Sequence, residues 1–276
     1  MNKHPEWTEV ADRVFVWRQP VLDVNSTLIV GETGALVVDT LSTRAQAAEL
    51  AEHVRWVTKL PWRVVNTHAH FDHSFGNAVL APDDGTDVWA HERCAEVMEQ
   101  IDDAQLALLA GEFPELADDI RTVRLRPPNR TFHTDAELDI GDRVVRLLHT
   151  GRGHTDHDLS VLVTDPLLGE HALLTGDLIE ESGPPMFGDA YPLDWPETVS
   201  ALLPYASGVV VPGHGTPVDA AFMAAQHAQL VELEWLCRDG HADGAPVAEV
   251  AAKSPFGPKV SMVAVQRAYA DLDGRI

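Results

Sequence analysis

Cysteine is nearly absent: Cys94 and Cys237 are the two in 276 residues. They lie far apart and in no metal-type spacing, which argues against a disulfide framework and predicts two buried thiols. Long apolar runs are missing too. The longest, such as Ala35–Val38 and Val209–Val211, fall far short of the roughly 20 residues a membrane span needs. The opening "MNKHPEWTEV" has no basic segment followed by an apolar one, so no signal peptide is expected. These absences predict a cytoplasmic protein with no membrane partner. Positive charge is also scarce, with 20 Lys and Arg against 43 Asp and Glu and a net charge of −23. The acids are spread along the chain and form no tail. Such a chain repels phosphate backbones, so nucleic acid is not an expected partner. The one dense basic stretch, "RTVRLRPPNR" with Arg121, Arg124, Arg126 and Arg130, reads as a surface strand and turn.

Apolar residues make up 45% of the chain, enough for one large domain with a small appendage. The boundaries read as a domain over 1–240 and a small helical extension over 241–276. "RVFVWRQ" and "NSTLIVGETGALVVDT" are strands with a hairpin at Gly31–Gly34. A helix follows in "STRAQAAELAEHVRWVTKL", with Ser42 or Thr43 as its cap and Pro61 beyond its end. Trp62 to Thr67 is a short strand. Residues 91–117 read as a helical insertion, with Val97, Ile101, Leu106 and Leu109 at helical spacing. Strands resume in "RTFHTDAELDIGDRVVRLLHT", "LSVLVTD" and "HALLTGD", with a hairpin turn at Ile140–Arg143. Pro196–Leu203 is a short helix, "GVVVPGHG" a buried strand and loop, and Val218–Cys237 a long helix. Small helices close the chain around "SPFGPK". This order predicts two packed β-sheets with helices outside.

Against those absences stands "NTHAHFDHSFGN", residues 66–77. His68, His70, Asp72 and His73 crowd just beyond the end of a strand, where ligand sites of α/β sheets collect. In an extended segment, residues two apart point the same way, so His68 and His70 can face one metal. Asp72 and His73 follow the turn and point towards a second. Imidazoles and a carboxylate suit zinc, at bond lengths of about 2.0–2.2 Å. Two ligands per metal are too few, and other strand ends offer the rest: His154 in "TGRGHTDHD", Asp177 in "LLTGDLIEE", His214 in "VVVPGHGTP". Each sits beside glycine, which lets backbone approach closely. An offset of three turns His157 away from His154. His149, five before His154, is a candidate for supporting the ligands from behind. Asp156 and Asp158 read as loop caps. His4, His53, His91, His133, His171, His227 and His241 read as surface or core histidines.

The ordered set His68-Ala69-His70-Phe71-Asp72-His73, Gly153-His154-Thr155, Gly176-Asp177 and Gly213-His214-Gly215 resembles the metallo-β-lactamase superfamily over roughly residues 10–220. The resemblance implies an α+β fold, a four-layer αββα sandwich of two packed mixed β-sheets with external helices, and a two-metal site on its edge. It implies His68, His70 and His154 on the first metal, Asp72, His73 and His214 on the second, and Asp177 bridging. Histidine at 70, where the di-iron branch carries glutamate, favours two Zn2+ per chain. Aspartate at 177, where penicillin-destroying members of one subclass carry cysteine, points towards the glyoxalase II, lactonase and general-hydrolase branches. The expected activity is attack on an ester, thioester, lactone or amide carbonyl of a small molecule by a hydroxide shared between two metals, with Asp72 orienting it or shuttling a proton. The alternatives are an iron-dependent sulfur dioxygenase-like oxidoreductase, a β-lactamase, and a metal-binding protein without turnover.

"ESGPPMFGDAYPLDW" follows Asp177 directly. Its prolines and its large side chains predict a stiff substrate wall, with Phe187 and Tyr191 as contacts. "RQPVLDVN" is the candidate for the opposite wall. The insertion over 91–117 reads as a lid or as the contact of a homodimer.

Overall fold

The computed structural model describes residues 7–164, residue 169 and residues 171–276. His4 lies outside the described residues, as does most of the opening stretch. Four strands start the chain, β1 (Thr8–Ala11), β2 (Val14–Gln19), β3 (Val24–Val30) and β4 (Ala35–Val38), each antiparallel to the one before. The helix α1 (Arg44–Val57) crosses over to β5 (Trp62–Val65), which pairs parallel with β4. Thr43 is the cap: its hydroxyl accepts from Gln46 N, and the Gln46 side chain reaches back to the cap backbone. A capping box of this kind stabilises a helix by about 1 kcal/mol. Ala47, Leu50 and Val54 form the buried stripe of α1 and pack on Leu28, Val37 and Val64. Full burial of a side chain such as Leu50 contributes about 1.5–3 kcal/mol.

Two short helices, α2 (Phe71–Ser74) and α3 (Asn77–Leu80), precede β6 (Val88–His91), parallel to β5. The expected insertion is three helices, α4 (Glu92–Gln100), α5 (Asp103–Glu112) and α6 (Ala117–Arg121). It therefore runs past 117, and His91 ends a strand instead of opening a helix. Leu106, Ala110 and Ile120 pack with Phe71, Phe75 and Leu22, so α5 and α6 lie against α2 and the β2–β3 turn.

After β7 (Arg130–Phe132) come β8 (Asp135–Asp139), β9 (Val144–Leu148), β10 (Ser160–Thr164), β11 (His171–Glu180) and β12 (Val210–His214). The hydrogen-bonded order is β7-β6-β5-β4-β3-β12-β11-β10-β9-β8, with β2 on β3 and β1 on β2. The two expected sheets are thus one ladder, joined at a single pair, His214 with Val24. Beyond that seam they meet face to face: Val14, Ile29, Leu36 and Val65 share a core with Leu147, Val161 and Leu174. Helix α7 (Trp195–Leu202), α8 (Ala220–Ala242), α9 (Val247–Ala251) and α10 (Pro258–Leu272) cover the outer face of the second half. The result is the αββα layering of an α+β fold. Helix α10 has 15 residues and is not small, and its Ala264, Val265 and Ala268 share a core with Leu173 and Trp195. No helix among the described residues is long and apolar enough to cross a membrane.

Candidate metal centre

The seven sequence-selected residues meet where the two halves of the sheet join. Ligand atoms of His68, His70, His154 and Asp177 all lie within 4.8 Å of one another, and those of Asp72, His73 and His214 form a second such group. The quoted stretch is held by its own two ends. Asn66 Nδ2 donates to Asn77 Oδ1 at 3.0 Å, and Asn77 Nδ2 returns a bond to Asn66 Oδ1 at 2.7 Å. Asn66 Nδ2 also donates to His73 O, so this buried amide pair ties the turn shut. Asp177 lies inside β11, where the register with β12 shifts twice between Leu174 and Glu180. The irregularity re-aims its side chain, as bulges beside active sites do. Gly176 has φ 52°, a conformation that favours glycine.

The rings of His68, His70 and His154 stand nearly perpendicular to one another, at 84°, 88° and 86°, with centroids 4.7–4.8 Å apart. Asp177 lies among the Nε2 atoms of four histidines, with Oδ1 3.2 Å from His73 and Oδ2 3.5 Å from His214, 3.7 Å from His68 and 3.7 Å from His154. Asp72 Oδ2 lies 3.4 Å from His214 Nε2 and 3.8 Å from His73 Nε2.

The partners behind the rings settle which nitrogen faces inward. Thr67 Oγ1 donates to Asp39 Oδ2, so it accepts from His68 Nδ1–H at 3.0 Å. His73 Nδ1–H donates to Asp39 Oδ2 at 2.8 Å, and His214 Nδ1–H to Leu22 O at 2.7 Å. His70 differs: its Nε2–H donates to Asp189 Oδ2 at 3.1 Å, which leaves Nδ1 for the interior. Each outer bond fixes tautomer and ring angle, as metal-binding histidines require. The inward atoms then lack partners. His68 Nε2 and Asp177 Oδ1 are buried with no hydrogen bond among the described residues. His73 Nε2 and His214 Nε2 face each other at 3.2 Å with both Nδ1 protons already committed. Two such nitrogens repel unless a proton or a metal ion lies between them. Imidazoles, carboxylates and orphaned buried lone pairs together fit metal ions.

Proton affinities tell the same story. Burial pulls His73 down, but Asp177, Asp72 and Asp39 outweigh it and raise it well above the ordinary histidine range. Burial opposes and Asp177 and Asp72 raise His214, to about 10. Burial and the neighbouring His73 hold His68 well below its ordinary value. Asp177 is pushed up by burial, yet His73, His214, His68 and His154 prevail and hold it well below the usual carboxylate range.

Gly213 makes room for the central carboxylate. A Cβ there would sit 1.8 Å from Asp177 Oδ1 and 2.9 Å from Gly176 C. Gly213→Ala is therefore expected to displace Asp177, lower metal affinity at least about 10-fold and cost about 1–3 kcal/mol of stability. Metal analysis with a melting curve checks this; full metal content at the parent melting temperature would contradict it.

Several residues outside the sequence-derived set join the site. Asp39, 2% exposed with φ 63°, orients His73 and takes both Thr67 bonds. An acid directly after a buried strand was its signal. Glu180 forms a third ligand-type group with Asp177 and His214, and burial with Asp177 nearby pushes its carboxyl well up. His157, turned away on sequence spacing, instead accepts the Ala69 N–H at Nε2. Its Nδ1–H donates to Asp156 at 2.6 Å. Asp158 caps its loop, accepting from Thr155 N and Thr155 Oγ1, and its carbonyl accepts from His149 Nδ1–H. Phe187 needs correction as a substrate contact. It is 2% exposed, with its ring 5.3 Å from Trp195 and 5.8 Å from Phe256. Burial of an aromatic ring outweighs what exposure in a wall would offer. Tyr191 is half-buried between the guanidinium groups of Arg152 and Arg267.

Residues 20–214 match the model of the Metallo-beta-lactamase superfamily. Among solved structures, a metallo-beta-lactamase from Pontibacter korlensis is similar at TM-score 0.62 and 23% identity, over 82% of this chain and 98% of that one. The DIM-1 metallo-beta-lactamase is similar at TM-score 0.60 and 19% identity, over 82% and 97%. VMB-1 is similar at TM-score 0.60 and 18% identity, over 84% and 99%. No curated protein matches significantly.

Proposed function

The chain belongs to the metallo-beta-lactamase superfamily, and from that premise we propose that it is a binuclear zinc-dependent hydrolase of ester, thioester, lactone or amide carbonyls in small molecules. The observation that carries this reading is Asp177, central to four inward imidazole nitrogens with Asp72 alongside. His68, His70 and His154 would hold the first zinc, Asp72, His73 and His214 the second, and Asp177 both. Zinc ions there supply Lewis acidity towards water and a carbonyl oxygen. Neither cysteine offers a thiolate nucleophile in place of an activated water: Cys94 and Cys237 are buried, and burial pushes the Cys237 thiol up to about 12. Asp72, 7% exposed and beside His214, is placed to orient a nucleophile or carry its proton.

The surroundings bear on the substrate. Arg18 is held by Asp23 and Thr216, and Arg152 by Asp194. The segment 178–194 carries no lysine or arginine. An anionic group next to the scissile carbonyl finds no unpaired cation on these segments. A cleft of about 530 Å³ lined by Glu180, Glu181, Pro184, Pro185, Phe222 and Phe256 adjoins the site. Together with exposed Met186 and half-buried Tyr191 it suits an uncharged apolar group.

A panel of chromogenic esters, lactones, thioesters and cephalosporins, run on protein of known metal content, tests the reading. We expect about two zincs per chain and kcat/KM at least about 10-fold higher for neutral esters or lactones than for anionic cephalosporins, the worth of one unpaired charge. One iron per chain would favour the oxygenase reading, and a fully loaded protein inert to the whole panel would be a binding protein.

A further inference from the structure

Arg267 lies on α10, beyond the residues that match the family. Its guanidinium reaches the loop after β11 and meets three successive carbonyls. Nη1 donates to Gly188 O at 3.4 Å, Nη2 to Asp189 O at 2.8 Å, and Nε to Ala190 O. The planar fork of arginine suits this task, because its donors are fixed relative to one another. The same group sits 5.5 Å from the Tyr191 ring, and Arg152 lies 4.3 Å from that ring. Tyr191 N donates to Gly153 O at 2.8 Å, which ties the loop to the segment carrying His154.

The clamped loop presents one side chain to the site. Asp189 Oδ2 accepts from His70 Nε2–H at 3.1 Å, and no other side chain of the described residues bonds that carboxylate. The Asp189 side chain is 57% exposed and its backbone neighbour Gly188 has open space where a Cβ would stand. His70 is the carboxylate's one side-chain hydrogen-bond partner among the described residues, so its position depends on the backbone beneath it. Freeing the backbone returns conformational entropy that competes with a single exposed hydrogen bond and scatters it. His70 is itself the most open ligand ring, 34% exposed, while His68 and His154 are buried.

We propose that Arg267 is a positioning residue of the metal centre: it fixes the 188–190 backbone so that Asp189 holds the His70 ring with Nδ1 turned to the first metal. The C-terminal helix is thereby a working part of the site. This rests on His70 being a ligand, as proposed above.

The test uses metal-free full-length protein, titrated with zinc against a chromogenic chelator, with cobalt spectra as a second readout. Asp189→Ala and Arg267→Ala are each expected to weaken first-site zinc binding about 10-fold, the lower end for an outer partner of a ligand. The double variant is expected to be no weaker than Asp189→Ala alone, since both act through one contact. Arg267→Lys, which keeps the charge but not the fork, is expected to fall between parent and Arg267→Ala. Added guanidinium ion is expected to restore part of the Arg267→Ala loss and to leave Asp189→Ala unchanged. Hydrogen exchange over 186–191 should quicken in Arg267→Ala and not in Asp189→Ala. Parent-like zinc affinity and cobalt spectrum in Arg267→Ala would overturn the proposal, as would losses that multiply in the double variant. His70→Ala separates the two levels. If it binds zinc like the parent, the ligand reading fails; if it loses zinc while Arg267→Ala does not, only the positioning role fails.

Discussion

Asp177→Asn protein is expected to hold fewer than two metals and to lose more activity than the roughly 10–100-fold that loss of an outer partner costs. The substitution keeps size and shape and removes one charge. In the parent, both oxygens of Asp177 lie within 3.2–3.7 Å of inward imidazole nitrogens from His73, His214, His68 and His154. An amide offers one oxygen and turns an NH2 donor into that ring of nitrogens. It therefore cannot face two cations at once. Removing the charge also removes the largest of the carboxylate contributions that raise the proton affinity of His73 and His214. Metal analysis after dialysis, followed by kcat/KM on the best panel substrate, checks this. Two tightly held zincs with parent activity would overturn the proposal that Asp177 is the shared ligand.

Raising the pH is expected to weaken the metal-free protein while it strengthens metal binding. His73 and His214 take up protons more readily in the folded metal-free chain than in the unfolded one, His214 with its value raised to about 10. A raised folded value contributes stability that is complete below the unfolded value near 6.5 and is lost as pH climbs through the folded one. The window opens at about pH 6.5 and, for His214, runs to about pH 10. On the acid side His68 acts oppositely. Burial holds it neutral in the fold, so the unfolded chain gains protons below about pH 6.5 that the folded chain refuses. Denaturant melts in the presence of a chelator should therefore peak near pH 6.5. Zinc must displace the protons that His73 and His214 take up, so the logarithm of its affinity should rise with pH over the same window. A flat affinity, or a metal-free midpoint that climbs towards pH 10, would remove these two histidines from the second site.

Where a segment's behaviour depends on its own neighbours, the sequence was enough. The start of α1 at Ser42 or Thr43, the hairpin between β3 and β4, the hairpin at 140–143 and the strand before His68 each follow from local propensity and period. The ligand candidates were legible for a related reason. His68, His70, Asp72 and His73 crowd ligand-type side chains into six positions, and the glycines beside His154, Asp177 and His214 mark where backbones crowd.

Tertiary structure decided everything that needs two distant segments at once. The seam at His214 and Val24 makes one ladder of two halves, and hydrophobic pattern cannot say which strand edges will meet. Phe187 reads as a wall residue in a loop rich in proline and glycine, yet Trp195 and Phe256 offered it a dry place and it turned inward. Glu180, His157 and Asp189 carry no motif of their own, and Asp39 only its place after a buried strand. Each acquires its place only because a ligand or its backbone arrives beside it from far along the chain. Arg267 is the plainest case, meeting Gly188, Asp189 and Ala190 from 77–79 residues away. Such a contact forms when α10 buries Ala264, Val265 and Ala268 against the outer face of the sheet and brings its polar side over the site's rim. The choice of metal-type chemistry was thus local and written in residue types, while the orientation of each ring was a consequence of packing.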